Sequence, residues 1–552
     1  MKKLLLITLI LSALMTCGSK KMEKENMSME LNKNWSFKQV DKTDWLDAKV
    51  PGSVHMDLLD NGLIEEPYYR LNEHDQQWID KVDWEYKTTF DVDEKLLGKD
   101  RIGMVFDGLD TYAEVFLNGK KVLSADNMFR VWEIDCKEEL KAQNNELRIV
   151  FRSPINIGLE KLFKEKYDYP DPPNDLSEIG GIGDKKVSIF TRKAGYHFGW
   201  DWGPRLTTSG VWRPIKINAW NEAKLDYAFF RQVNLKKKQA DLNAVLEINA
   251  NQVSDGEVKI RNGEKVIETK TITLKKGNNE INVPFAIKNP ERWWPVGLGD
   301  QHLYNLTAEV YMNGKLVDEK SHRIGLRDVE VVREKDEYGE SFYFKVNGHP
   351  VFAKGANYIP QDVFLNQVTP DRYEHILQSA VDANMNMVRV WGGGIYENKI
   401  FYDLCDEKGL MVWQDFMFAC SMYPGDKPFL DNVKQEAIDN VKRLRNHPSI
   451  VIWCGNNECV DAWYHWGWKD QVTENQGKEA ADYMWNAYVN VYHKILPNAV
   501  KEYDSDRFYW SSSPCAGMGN PSQVDKGDLH YWGVWHGKEP FEWYRTCKHR
   551  FN

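Results

Sequence analysis

Residues Ser449-Ile450-Val451-Ile452-Trp453-Cys454 are followed at once by Gly455-Asn456-Asn457-Glu458. The apolar run reads as a strand, and the polar tail places two amides and a carboxyl where that strand ends. The same order of elements repeats on both sides of it. A strand over 351–357 precedes a helix over 370–383, one over 385–390 precedes a helix over 399–408, and one beginning at 409–413 precedes a helix over 430–445. The strand 449–454 itself precedes a long helix over 478–496, and 508–511 and 529–532 predict a fifth and a sixth strand. Repeated strand–helix units at this spacing indicate a (β/α)8 barrel or a doubly wound sheet. The first strand has no glycine-rich turn after it, which speaks against a nucleotide-binding sheet. The expected element is an incomplete (β/α)8 barrel, about six of eight strands.

Before residue ~350 the pattern differs, with short alternating segments punctuated by Asn-Gly. The dipeptide occurs at Asn118-Gly119, Asn262-Gly263, Asn313-Gly314 and Asn347-Gly348, and between alternating runs it favours two-residue hairpins, whose central residues need positive φ. Asn61-Gly62 follows the helix-like Val54-His55-Met56-Asp57-Leu58-Leu59 and reads as a helix stop. Two antiparallel β-sandwiches are therefore expected ahead of the barrel, a large one over 30–218 and a smaller, immunoglobulin-like one over 219–332, with the barrel over 333–552.

The N-terminus reads separately. Met1-Lys2-Lys3 is basic, and the apolar run from Leu4 to Leu14 is shorter than the ~20 residues that span a bilayer, so it is expected to be a signal peptide. Cys17-Gly18-Ser19 and a polar stretch follow, resembling a bacterial lipoprotein signal. That implies a signal over 1–17, lipidation at Cys17, a polar tether over 18–29 and export to the periplasm or outer membrane, with plain secretion as the alternative. The other cysteines (136, 405, 420, 454, 459, 515, 547) are scattered without a CxxC pair, so neither a disulfide framework nor a zinc cluster is indicated, and no metal or cofactor is expected. Lys+Arg 72 against Asp+Glu 82, a net charge of −10 with no basic block, argues against nucleic acid as a partner. The composition stands out in its 22 Trp, 25 Tyr and 23 Phe, enough flat apolar platforms for sugar rings to stack on.

Strand-end Asn457-Glu458 on a barrel behind two sandwiches resembles the glycoside hydrolase family that contains β-galactosidase, β-glucuronidase and β-mannosidase. The stretch from His447 to Glu458 is similar to its β-mannosidase branch. So are Phe198-Gly199-Trp200-Asp201-Trp202-Gly203-Pro204, Arg389-Val390-Trp391-Gly392-Gly393-Gly394 and Trp532-Gly533-Val534-Trp535-His536. The resemblance implies an exo-acting, retaining β-mannosidase in which Glu458 protonates the departing oxygen and a second carboxyl, ~5–5.5 Å away, attacks the anomeric carbon. A nearby anionic nucleophile would favour that protonation by raising the pKa of Glu458. By the same resemblance Asn457 binds the sugar 2-hydroxyl, Trp200, Asp201, Trp391 and Trp466 line the pocket, Arg192 and Tyr531 contribute to it, and Arg389 orients the nucleophile. The family's nucleophile lies in a motif like Arg-Phe-x-Ser-Glu, and Arg550-Phe551-Asn552 stands just before the expected Ser-Glu. The expectation is that the nucleophile and the last two strands lie beyond residue 552, and that the 552 residues alone are inactive. Among internal carboxylates, Asp415 reads as structural or as a subsite residue. Asp528 reads as facing the wrong end of the barrel, and Glu539 and Glu542 read as solvated loop residues. His530 reads either as completing the pocket or as a structural barrel histidine. Two alternatives stay open at this point, an exo-β-glucosaminidase and a non-catalytic surface carbohydrate-binding protein; the oligomeric state is not indicated.

Overall fold

The computed structural model describes residues 24–547; the expected lipidation site, Cys17, and the terminal Arg550-Phe551 lie outside them. The first unit is a sandwich of two antiparallel sheets. One holds, in spatial order, Met27–Glu30, Ile215–Trp220, Arg101–Phe106 and Trp132–Asp135. The other runs Leu46–Ala48, Trp35–Gln39, Trp84–Phe90, Asn145–Arg152, Tyr112–Leu117 and Lys120–Asp126. Pairing of Met27 with Ala219 joins the first strand to the last, so this unit is closed on itself. Its core packs Trp35, Phe37, Trp84, Tyr86 and Phe106 between the sheets.

The second sandwich sets Ala223–Lys236, Gln239–Ala250 and Gly277–Lys288 against Lys265–Leu274, Ser254–Asn262, Tyr304–Met312 and Lys315–Ile324. From Ala240 to Ala250 buried side chains alternate strictly with half-exposed ones, as a sheet with one wet face requires. All four Asn-Gly pairs close hairpins, three of them with positive φ at both residues. Asn61 caps the helix Val54–Asp60, the stop expected there.

The third unit is a parallel sheet in the order β1 (Gly355–Tyr358), β2 (Met387–Val390), β3 (Met411–Asp415), β4 (Ile450–Cys454) and β5 (Phe508–Trp510), five strands of a (β/α)8 barrel. Helices α1 (Pro370–Asp382), α2 (Lys399–Lys408), α3 (Lys427–Leu444) and α4 (Cys459–His465) connect them with the further helices up to Tyr503. Thr369 caps α1 and Asp426 caps α3, each accepting a backbone N–H of the first turn, and Gly409 ends α2 with φ 73°. The helix expected over 478–496 continues to Tyr503 through a π turn at Asn490–Ile495. That turn stands directly before Pro497, which has no N–H to give to an α ladder.

Two strand expectations change. The Asn347-Gly348 hairpin commits His349–Val351 to an antiparallel pair with Tyr343–Val346, so β1 starts later, at Gly355, where a side chain would collide with the Met387 carbonyl. The sixth strand, 529–532, does not join the sheet. Residues 511–528 carry Pro514, Gly517, Gly519, Pro521 and Gly527 and form no crossover helix, which a further parallel strand needs. Their backbone instead bridges Ser513 to Asn457 and Cys515 to Asp528.

Buried charge fastens the first sandwich to the barrel. Arg192 donates from Nε and Nη2 to the two Glu436 oxygens at 2.9 and 2.7 Å and from Nη2 to the Met417 carbonyl at 2.8 Å, with its guanidinium over the Phe418 ring. Glu436, on α3, also accepts from Asn127 of the sandwich and from Tyr396. Arg192, expected as a sugar contact, is thus an anchor between units, buried and ion-paired. Replacing it by alanine leaves a buried carboxylate without its cation, and Arg192→Ala is expected to lower unfolding stability by about 3–5 kcal/mol. Urea denaturation followed by tryptophan fluorescence measures this. A midpoint like that of the unmodified protein would show that the pair contributes nothing.

Candidate active site

The end of β4 is held by hydrogen bonds on both sides. Asn457 N–H donates to the Phe418 carbonyl at 3.0 Å, Cys420 N–H to the Asn457 carbonyl at 2.8 Å, and Glu458 N–H to the Ser513 carbonyl at 2.9 Å. Asn456 is buried and ties the turn together. Its Oδ1 accepts from Cys459 N–H at 3.0 Å and from Ser512 Oγ at 2.7 Å, while its Nδ2 donates to the Ser511 carbonyl. Glu458 then takes φ 62° and opens α4. A glutamate in the left-handed region costs about 1–3 kcal/mol, and such strain persists where the surroundings over-determine it. Here both flanking segments do so.

The Glu458 carboxyl is buried and meets three donors. His530 Nδ1 lies 2.7 Å from Oε1; Cys420 Sγ and Asn457 Nδ2 lie 3.3 and 3.2 Å from Oε2. Arg389, on β2, connects this group to the neighbouring strands. Its Nη2 donates to Asp415 Oδ2 at 2.8 Å and to Asn457 Oδ1 at 3.1 Å, and its Nη1 reaches Asn357 Oδ1 and His530 Nε2. Asp415, fully buried at the end of β3, also accepts from Trp413 Nε1 and Gly392 N–H. It is the counter-ion of Arg389.

Aromatic rings from two units form the adjoining wall. Trp200 of the first sandwich meets Trp391, just beyond β2, edge to face at 4.5 Å, and Trp202 stacks on Tyr196 and Trp200. Trp200 and Trp391 pack with Ala419 and Cys420, and Cys420 touches the Glu458 carboxyl. Asp201 is exposed at the tip of the Trp200–Gly203 turn. Trp466, by contrast, stands 45% exposed after α4 and packs edge-on to Trp468. The Tyr531 hydroxyl donates to Glu539 and its ring stacks on Trp543 at 4.2 Å. Asp528 is buried behind His530 and bonded to Ser513, not turned to the far end of the barrel as expected.

The structure therefore brings together Glu458, Asn457, Arg389, Trp391, Trp200 and His530, and adds Cys420 and Asn456. The contacts described for Trp466 and Tyr531 join neither residue to that group. Cys420 carried no sequence signal, since a lone cysteine in Phe418-Ala419-Cys420-Ser421 belongs to no motif. A cavity of about 990 Å³ between the two sandwiches and the barrel helices shares no residue with this cluster. Lysines and carboxylates line it and pair with one another, as in Lys24–Asp318 and Lys224–Glu133. The one cluster among the described residues with metal-ligand spacing, Asp403, Asp406 and His447, also lies apart, and Asp403 is already neutralised by Lys399 and Arg323.

Burial alone would raise the Glu458 pKa, but the His530 hydrogen bond, the Cys420 contact and the Arg389 charge outweigh it and hold the carboxyl below its ordinary value. A depressed carboxyl contributes stability above its unfolded pKa, and that contribution is lost as pH falls through the folded value. The stability advantage of the unmodified protein over Glu458→Gln, read from urea midpoints, is thus expected to shrink as pH falls from 7 through the carboxylate range. A pH-independent difference would mean that the carboxyl is not held ionised.

Three family models match the chain in order. The galactose-binding-like domain of glycosyl hydrolase family 2 matches 35–213, the family 2 domain 224–327 and the family 2 TIM barrel domain 340–509. The β-mannosidase of Bos taurus is 37% identical over 525 residues, 92% of this chain and 58% of the relative. β-Mannosidase B of Aspergillus clavatus is 36% identical over 537 residues, 95% of this chain and 61% of the relative. The crystal structure of the β-D-mannosidase of Dictyoglomus thermophilum superimposes with a TM-score of 0.86 at 41% identity, over 95% of this chain and 62% of that one. The chain thus spans about three fifths of the length of these relatives.

Proposed function

Since the chain belongs to glycoside hydrolase family 2, we propose that it carries the non-reducing-end pocket and the acid/base of a retaining exo-β-mannosidase, which releases terminal β-D-mannose from β-mannosides. The observation that carries this reading is Glu458, a strained, buried carboxyl at a barrel strand end, beside Asn457 and against the Trp200–Trp391 wall. Catalytic groups of this fold sit at the C-terminal ends of its strands.

In the first step Glu458 gives its proton to the glycosidic oxygen as the bond to the anomeric carbon breaks. In the second, the same carboxylate takes a proton from water as the glycosyl–enzyme ester is hydrolysed. His530, Asn457 and Cys420 all donate to Glu458, the arrangement that suits its ionised, base-ready form. The acid form requires an additional anion close by, and the nucleophilic carboxylate of the first step would supply it by opposing a second negative charge. Asp415 is committed to Arg389, and Asp528 to Ser513 and Trp510. By the family resemblance, in which the nucleophile follows an Arg-Phe pair like Arg550-Phe551, we assign the nucleophile to sequence outside these 552 residues. Asn457, its Oδ1 fixed by Arg389, is assigned the sugar 2-hydroxyl, where a hydrogen bond strengthens as positive charge develops on the ring. Trp200 and Trp391 offer apolar faces to the sugar. We also infer export with lipidation at Cys17, supported by the Leu4–Leu14 run and Cys17-Gly18-Ser19.

The 552-residue protein is expected to show no turnover of an aryl β-mannoside above a Glu458→Gln control. A form extended through a seventh and an eighth barrel strand is expected to be active, and to lose about 10²–10⁴-fold in kcat on Glu458→Gln with an aglycone that needs protonation. Turnover by the 552-residue protein well above its control would overturn the assignment of the nucleophile.

A further inference from the structure

His530 has a second face that the acid/base reading leaves unused. Beyond the ring, Nε2 lies 3.2 Å from Ser513 Oγ and 3.3 Å from Arg389 Nη1. Ser513 Oγ in turn donates to Asp528 Oδ2 at 2.6 Å. Asp528 is buried, and its other oxygen accepts from Trp510 Nε1 at 2.7 Å and Cys515 N–H at 2.8 Å, so this carboxyl is fixed on all sides. An unbroken line of contacts runs Glu458–His530–Ser513–Asp528. It joins the strand-end carboxyl to a second carboxyl beneath it.

Donor and acceptor roles along this line follow from elementary constraints. A guanidinium donates only, so toward Arg389 the Nε2 atom presents its lone pair, and the ring proton sits on Nδ1, aimed at Glu458 Oε1. Ser513 has one hydroxyl proton, and the short contact to Asp528 uses it. Oε1 of Glu458 is thereby occupied by a strong, directional donor. Oε2 faces a thiol, a weak donor, and an amide whose nitrogen is equally close to that thiol.

We propose that His530, its tautomer and ring orientation set by the Arg389 guanidinium at Nε2, is a positioning residue that fixes the orientation and protonation of the Glu458 carboxyl. It leaves Oε2 as the oxygen that gives and takes the proton. The proposal rests on the acid/base reading of Glu458, but its test does not need turnover. The other charged and titratable groups around the pair are Arg389 from β2, Asp415 from β3, Cys420 from the loop after β3 and Cys459 at the start of α4. None of them is altered by the substitutions below.

The experiment is a titration of the carboxyl carbon of Glu458 by NMR in the 552-residue protein labelled with ¹³C-glutamate, the resonance being identified by its loss in Glu458→Gln. With His530→Ala the midpoint is expected to move to higher pH, because burial is no longer opposed by the imidazole donor. In His530→Asn the side-chain amide nitrogen stands about where Nδ1 does and donates to Oε1, so most of the shift should be reversed. An unchanged or lower midpoint in His530→Ala, or His530→Asn titrating like the alanine variant, overturns the proposal. If His530→Ala does not fold, a midpoint in His530→Asn well above that of the unmodified protein overturns the proposal. If these shifts appear while an extended, folded form leaves aryl β-mannosides intact, the β-mannosidase reading fails and the positioning role stands.

Discussion

The largely buried guanidinium of Arg389 sets the constraint on which the site depends. A cation withdrawn from water needs acceptors on every side, and here they come from separate parts of the barrel: Asn357 on β1, Asp415 on β3, Asn457 past β4 and His530 beyond β5. The parallel register makes this possible, because Asn357 and Arg389 are direct neighbours across the first pair of strands. Satisfying one charge thus fixes the amide next to Glu458 and the imidazole that touches it. The carboxyl has little freedom left, and its left-handed backbone is sustained by the same neighbours.

The first sandwich supplies part of the aromatic wall beside Glu458, so its placement on the barrel shapes the candidate site. Three buried cations hold the segment that bears Trp200: Arg192 on Glu436, Lys193 on Asp110 and Arg205 on Asp80. Only the first crosses between units, and it is joined there by Tyr196 N–H on the Gly393 carbonyl, which brings the tryptophan turn against Trp391. Isolated buried ions are costly, whereas paired and hydrogen-bonded ones are specific in geometry. An aromatic wall shared by two folding units needs that geometric specificity.

Much of this organisation could be read from the residues. The Asn-Gly pairs marked hairpins because few other dipeptides tolerate two positive φ values, and the strand–helix spacing after residue 350 marked the barrel. Glu458 and Asn457 were visible because strand ends are short and polar in an otherwise apolar period. What could not be read depends on long-range contact. Arg192 looked like a sugar ligand because it lies close in sequence to the tryptophan turn, yet its partner Glu436 is 244 positions away. Cys420 belongs to no local pattern, and His530 could be read equally as a pocket residue or a structural barrel histidine; both become neighbours of Glu458 only when the ends of β3, β4 and β5 converge. The segment 529–532 looked like a strand from its apolar content, but the glycines and prolines before it allow no crossover helix.

The proposed function rests on Glu458 as the proton donor and acceptor at a β-mannosidic bond. The most direct test is azide rescue of Glu458→Ala in the active, extended form, with 2,4-dinitrophenyl β-mannoside, whose leaving group needs no protonation. The account predicts that formation of the glycosyl–enzyme persists and its hydrolysis stalls. Added azide should then restore turnover and yield β-mannosyl azide. Turnover of Glu458→Ala at the unmodified rate without azide, or a stalled variant that azide leaves unchanged, would contradict it.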